Sequence, residues 1–321
     1  MKTARAHDRR LRVARESDDR PLLSLDATAR ASSTRAVYRP RTFFGRAHLY
    51  ERARTIVATG PDGEIVGAVC GAVKRVTLNG SPTTAGHVFN LRVAPGARRA
   101  GVGRTLVAAV EVWLEDEGAT ATFCLVDERN GPSLCLFERA GYGPVARAAY
   151  LEVWRASLEP GDDGRGGRRV DLVDVSRSVP WQDRIRRAYA GRDFCPVDLV
   201  AELYAPRAEG GYVGTLWSPA GSWLSIWDKD RAARRDAVHV RDRGVFLYDL
   251  SLRNAAAFAG LVRALFTKFA WVERAVCFIP GEMVGPFELD RIAILDRHEL
   301  VMLRSPSAST RTRETYLDVR D

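Results

Sequence analysis

Six residues, Arg98-Arg99-Ala100-Gly101-Val102-Gly103, stand between an apolar run and a patterned stretch. The run before them, Val88-Phe89-Asn90-Leu91-Arg92-Val93, is β-branched and aromatic enough for a strand. After them Val102, Leu106, Val107, Val110 and Leu114 recur at helical spacing, so one helix face packs inward. The glycines therefore fall where a strand gives way to a helix. The first N–H groups of that helix have no intrahelical partner, and the helix dipole adds partial positive charge. Without side chains at 101 and 103 a large anion can come close to those N–H groups, and Arg98, Arg99 and Arg104 add full charges. The chemistry is that of a pyrophosphate site. An ordinary glycine-containing turn is the plainer alternative, and the six residues alone do not exclude it.

A second motif follows one helix and one strand later: Asn130-Gly131-Pro132-Ser133-Leu134-Cys135-Leu136-Phe137-Glu138-Arg139-Ala140-Gly141-Tyr142. The two motifs in this order, separated by a strand such as Thr120–Val126, resemble the GNAT (Gcn5-related N-acetyltransferase) superfamily. That family has an Arg/Gln-x-x-Gly-x-Gly/Ala loop after its fourth strand, and later an Asn, a short helix and aromatic-x-x-x-Gly-aromatic. Gly67–Thr77, Leu91–Pro95, Arg184–Leu199 and Ser222–Asp228 extend the likeness to the plant Hookless-type N-acetyltransferases.

The resemblance implies an acyltransferase that moves an acetyl group from acetyl-CoA directly to a primary amine, in a ternary complex, without a metal. Its cofactor-binding residues would be Arg98, Arg99, Ala100, Gly101, Val102, Gly103 and Arg104. Backbone groups of Leu91, Arg92 and Val93 would meet the pantetheine arm, and one amide of that strand would hold the oxyanion. Asn130, Ser133 and Phe137 would complete the cofactor side; capping a helix is the other role open to Asn130. Many family members carry Tyr where Phe137 stands, to protonate the leaving sulfur. Phe has no proton to give, so its role is packing and water is left as the proton source. Ser133 or Cys135 could stand in, though packing is the expected role of Cys135. The acidic residue some members place near position 90 is Asn90 here. Asp127 and His87 are then the candidate general bases, with Glu128 and a water chain as alternatives. The replacements at 90 and 137 also fit a different class, a catalytically decayed CoA-binding sensor or scaffold.

Composition bounds these readings. The 321 residues are enough for two ordinary domains, and the hydrophobic share of 46% with 28% charged residues is that of a globular protein. No apolar run has the length to cross a bilayer, and the N-terminus has no secretory pattern, so a cytoplasmic protein is expected. Five scattered cysteines, Cys70, Cys124, Cys135, Cys195 and Cys277, have no metal-ligand spacing and read as reduced thiols. His48, His239 and His298 have no neighbours suggesting a triad or metal. Of the net charge of +9, residues 1–54 carry a surplus of eight, with fourteen Lys/Arg against six Asp/Glu. That face could dock nucleic acid or an acidic protein, but it lacks the interleaved aromatics of a nucleic-acid module. The expected partners are acetyl-CoA and an amine acceptor, a small molecule or a protein lysine, for which this fold carries no portable motif.

The elements that must position these residues follow from pattern. The expected order is a strand at Leu11–Arg15, helices at Asp19–Ala29 and Arg41–Arg52, and a hairpin of Thr55–Thr59 with Glu64–Val76. Next come the strand Gly86–Val93, the helix Val102–Glu117, the strand Thr120–Val126, a short helix from Ser133, and a closing pair of strands around Tyr142–Arg155. Residues 159–167 are Gly-rich and polar, a linker. The same order then restarts from Arg169, with Ile292–Leu295 and Leu300–Leu303 as its closing strands. The expected architecture is therefore α/β (α+β): tandem GNAT-like domains, each a mixed sheet flanked by helices. These would be 1–158, binding acetyl-CoA, and a degenerate 168–305, followed by a loose tail over 306–321. The second strand-to-helix junction, Ser251-Leu252-Arg253-Asn254-Ala255, has no glycine, so the second domain is not expected to bind CoA in the usual way.

Overall fold

The computed structural model describes residues 10–30, 42–158, 170–204, 211–228, 244–287, 289, 293–305 and 315–317. The expected linker and most of the basic N-terminal surplus lie outside them. The first half runs β1 (Arg10–Val13), α1 (Asp19–Arg30), β2 (Ala53–Thr59), β3 (Ile65–Leu78), β4 (Ser81–Val93), α2 (Val102–Asp116), β5 (Ala121–Asp127), α3 (Gly131–Arg139) and β6 (Gly143–Trp154). The second repeats the strand order, with two helices after its first strand and no α-helix among the described residues before its last: β7 (Asp171–Val173), α4 (Val179–Tyr189), α5 (Leu199–Leu203), β8 (Tyr212–Trp217), β9 (Trp223–Trp227), β10 (Gly244–Ser251), α6 (Ala255–Lys268), β11 (Arg274–Pro280) and β12 (Ile294–Arg304). The helix expected over Arg41–Arg52 is instead two short 3-10 turns, Phe43–Gly45 and Ala47–Leu49. Their Phe43, Phe44 and Ala47 are buried, and Gly45 breaks the run.

All twelve strands form one sheet, in the order β1-β2-β3-β4-β5-β12-β6-β11-β10-β9-β8-β7. From either end, five strands of one half are followed by the last strand of the other half and only then by their own. The two closing pairs expected from sequence are thus two single long strands, β6 and β12, shared between the halves. Strand β12 pairs antiparallel with β5 on one side and β6 on the other, and β6 pairs antiparallel with β11. The exchange covers edges that each half would otherwise leave open.

Helices α2, α3 and α6 lie on one face. Val102, Leu106, Val110 and Leu114 of α2 are all 3% exposed or less, and they pack with Met302 of β12. Strand β3 lets α2 come close, because a Cβ at Gly71 would stand 2.5 Å from Val110 and 2.9 Å from Trp113. Phe258, Leu261 and Leu265 of α6 pack on Leu151 and Val153 of β6, a strand of the other half. The opposite face carries α1, α4 and α5. There Phe194 and Leu317 join Val76, Ala85, Phe123 and Val301 in one apolar cluster. The tip of the β3–β4 hairpin also takes backbone bonds from the second half, Phe194 N to Thr77 O at 2.8 Å and Val197 N to Arg75 O at 2.9 Å.

The segment expected as a loose tail is in part a buried strap. Thr315, Tyr316 and Leu317 are 4%, 3% and 6% exposed, and Tyr316 N donates to Asp193 O at 2.8 Å. Asp193 in turn accepts from Asn79 N at 2.6 Å in the first half's hairpin turn. Composition suggested looseness because the segment is polar; the packing partners of Tyr316 and Leu317 and the carbonyl that accepts from the Tyr316 amide lie on other parts of the chain.

Candidate functional site

Strands β4 and β5 run parallel and are paired only over Ala85–His87 with Ala121–Phe123. Beyond that vertex they part. The cause is local: β4 carries a bulge opposite β3 between Ala68 and Cys70, with Asn90 at φ +52. The bulge leaves Phe89 in the cluster under α1 and Leu91 in the cluster under α2. Because the bulge inserts one extra residue into β4, Arg92 rather than Leu91 keeps step with Asp127 when the two arms are counted from the vertex. Leu91, Arg92 and Val93 line the β4 arm of this fork without ladder partners on β5. The Arg92 guanidinium is held by Asp26 of α1, which fixes the arm against its helix.

At the mouth of the fork the chain turns into α2. Gly101 is the residue before the helix, at φ +83, with no heavy atom within 4 Å of where a Cβ would be. Any side chain there would strain the backbone and stand in open space over the loop. Among the described residues no side chain caps α2, and its first turn follows the exposed residues Arg99, Ala100 and Gly101. Arg104 is exposed on the first turn. Arg98 is engaged differently from the expectation: Nε donates to Val93 O at 3.3 Å and Nη2 to Ala29 O at 3.2 Å, tying the loop to β4 and α1. Gly103 has a packing reason of its own, since a Cβ there would press on Leu136 of α3 at 3.2 Å. Asn130 takes the capping role, its side chain accepting from Ser133 N at 3.3 Å. Phe137 is buried with its ring edge-on to Tyr142 at 5.2 Å. Cys135, expected to pack, is exposed.

The two candidate bases occupy different places. His87 sits at the vertex, completely buried and stacked on Phe123 at 4.6 Å, with Nδ1 3.1 Å from the Tyr50 hydroxyl. Lys74 lies beside it, buried, 5.5 Å from the Phe123 ring centre. Asp127 ends β5 on the face of α1, and both of its oxygens are taken. Arg129 Nε reaches Oδ1 at 3.0 Å, its backbone N reaches Oδ1 at 2.9 Å, and Nη2 reaches Oδ2 at 2.8 Å. The Arg129 hydrogen bonds hold this carboxyl below its usual range. Arg147 does the same for Glu128 from the other side of the sheet. Sequence reasoning missed Glu299, which stands opposite Asp127 across the β5–β12 ladder. Nothing near positions 87–142 could have signalled it, because it comes from the far end of the chain.

The second half has a fork of the same design, between β10 and β11, paired only over Gly244–Leu247 with Arg274–Cys277. Its bulge residue is Asp249, at φ +49. This fork is filled. The Asp249 carboxylate accepts from the hydroxyls of Tyr204 and Tyr316, and only about 20 Å³ remains among Asp249, Phe278, Pro280, Thr315, Tyr316 and their neighbours. Helix α6 is capped, Asn254 accepting from Ala257 N at 3.0 Å. Among the described residues no cluster of His, Cys, Asp and Glu could hold a metal, and no helix is long and apolar enough to cross a membrane.

Residues 22–142, which include the open fork, match the model of the acetyltransferase (GNAT) family. The chain is 29% identical over 201 residues to the acetyl transferase GW6a of Oryza sativa subsp. japonica, and 27% identical over 183 residues to "Probable N-acetyltransferase HLS1" of Arabidopsis thaliana. Those matches cover 58% and 50% of this chain but 46% and 44% of the relatives, so the chain spans just under half of their length. A tandem GNAT protein from the clavulanic acid biosynthesis pathway superposes with a TM-score of 0.62 at 14% identity, over 94% of this chain and 99% of that one. The fold is that of GNAT proteins in tandem, and residues 22–142 are similar to the acetyltransferase (GNAT) family.

Proposed function

We propose that this tandem GNAT chain is an acetyl-CoA-dependent N-acetyltransferase whose first half, residues 1–158, is catalytic and whose second half, 168–305, supports it. The observation that carries the reading is the pairing of an open β4–β5 fork with an uncapped α2 N-terminus behind Gly101. The pyrophosphate rests on the first-turn amides of α2 and the charges of Arg99 and Arg104. The pantetheine arm runs along Leu91–Val93, which places the thioester at the level of the bulge. A β4 amide there stabilises the oxyanion as the amine adds.

In the reaction the amine nitrogen, having given up its ammonium proton to a water chain, attacks the thioester carbonyl. The N–C bond forms, the nitrogen passes a second proton to water as it becomes an amide, the C–S bond breaks, and CoA leaves as a thiolate. Phe137 has no proton to give, and a thiol of ordinary pKa, about 8.5, leaves readily enough to take its proton from water. The acceptor comes from the face of α1, opposite α2, and a cytoplasmic setting with reduced thiols goes with this chemistry. Asn90 and Phe137 favour a second reading, a decayed CoA-binding sensor.

A thermal-shift titration with acetyl-CoA, followed by free-thiol detection with a panel of amines, tests both. Stabilisation with amine-dependent thiol release is expected. Stabilisation without thiol release for any amine leaves the sensor, and no stabilisation at saturating ligand overturns both.

A further inference from the structure

Within the proposed reaction the acceptor must meet a group on the α1 face that holds its ammonium beside the thioester. The acids and bases read from the sequence are engaged elsewhere. His87 is closed off at the vertex, Glu128 is held by Arg147 on the other side of the sheet, and both Asp127 oxygens accept from Arg129. Next to Asp127 on β12, in register with it, stands Glu299. The alternation along β12 puts Glu299 on the face of Val301 and Leu303, which pack with Phe123 of β5 under the acceptor side. Glu299 therefore stands beside Asp127, one strand spacing of about 4.8 Å beyond β5.

Its carboxylate is only half engaged. Arg297 Nε donates to Oε1 at 2.6 Å, while no donor among the described residues reaches Oε2. Arg297 is itself fixed, stacked 3.9 Å over the Tyr150 ring and paired with Asp296 at 2.7 Å. The side chain of Glu299 is thus aimed by a rigid neighbour and retains 17% exposure. The related position in the second fork is uncharged: Pro280 ends β11 as Asp127 ends β5, and its partner on β6 is Ala148. The carboxylate is specific to the open fork.

Resting on the transferase reading, we propose that Glu299 Oε2 receives the ammonium group of the acceptor and positions it beside the thioester. The acceptor site is then composite, built by the first half's fork and a strand of the second half. The substrate class is an amine that arrives protonated, its cation bound by a single carboxylate. The amide of Glu299→Gln retains an acceptor for Arg297 Nε but loses the charge, so it separates the role from packing.

The test uses the full chain saturated with CoA, with calorimetric titration of two probes, 1,4-diaminobutane and the peptide acetyl-Gly-Lys-Gly-amide. The same probes serve as acceptors in thiol-release kinetics. At least one probe is expected to bind the wild type, and Glu299→Gln to weaken it and raise its KM about tenfold or more, with a smaller change in kcat. Glu299→Asp, which restores the charge, should recover part of the loss. Acetyl-CoA stabilisation should be the same in all three proteins. An unchanged KM in Glu299→Gln overturns the proposal. So does failure of both probes to bind a wild type that acetyl-CoA still stabilises. A wild type that acetyl-CoA does not stabilise removes the transferase reading and this inference with it.

Discussion

The molecule contains the same fork twice, and the two have gone opposite ways. In both, parallel strands separate after a short ladder and a bulge residue with positive φ sits on the arm, Asn90 in one and Asp249 in the other. The first opens onto an uncapped helix behind a glycine; the second meets a helix capped by Asn254. The second bulge carries a buried carboxylate, which needs hydrogen-bond donors inside the protein, and Tyr204 and Tyr316 supply them. Filling the fork with its own chain is how the second half meets that need. A neutral Asn90 makes no such demand, so the first fork can stay open to a ligand.

Breaking the filled fork should have the largest effect. Tyr316→Ala removes a buried ring that packs edge-on to Tyr189 at 5.0 Å and leaves Asp249 short of a donor. A loss of about 3–5 kcal/mol in urea unfolding is expected. A variant that still folds should retain its acetyl-CoA response, since the open fork is elsewhere; loss of that response without unfolding would make the two forks interdependent.

Next comes the open fork itself. Acetyl-CoA at about a hundred times its dissociation constant should stabilise the wild type by about 2.7 kcal/mol. Gly101→Glu puts a side chain at φ +83 and a negative charge before the helix, and should abolish that gain. Retention of the full shift would move CoA away from this loop.

The cap of the second fork should matter for stability alone. Asn254→Ala leaves the first turn of α6 without its acceptor and should cost about 1 kcal/mol, with the acetyl-CoA shift unchanged. A changed ligand response would mean the second junction takes part in binding.

The smallest effect separates the fork walls, Asp127 on one side and Pro280 on the other. The Asp127 carboxyl lies below its ordinary value because Arg129 hydrogen-bonds the charged form. A depressed folded pKa gives stability that is complete above the unfolded value of about 3.9 and is lost as pH falls through the folded value. Asp127→Asn should therefore be slightly less stable than wild type at neutral pH, with the difference closing in acid. A difference that grows on acidification would contradict the Arg129 clamp.

Much of the open fork was legible in the chain. Val102, Leu106, Val110 and Leu114 announce α2 through their spacing, and Gly101 announces the turn before it. These signals are local because helix periodicity and glycine conformation depend on neighbours within a few residues. The same locality explains the errors. The stretch 143–154 looks like strand material wherever it pairs, so nothing in it told one long strand from a closing pair. Thr315–Leu317 looks like tail because its partners, Asp193 and Asp249, are far away in sequence. Arg98 has the charge for a phosphate, but the carbonyls of Ala29 and Val93 that hold it are set by how α1 docks.

The sequence by itself determined most of the elements, the repeat of their strand order, and the glycine-opened junction in the first half against the glycine-free one in the second. Each of these is fixed by side-chain spacing and backbone preference over a few residues. Only the tertiary structure decided that β6 and β12 cross between the halves, that the strap fills one fork, and that Glu299 stands opposite Asp127 beside the other. Those outcomes depend on which distant edges and buried polar groups find partners, and pairing energy of that kind belongs to the assembled sheet and to no single stretch of chain.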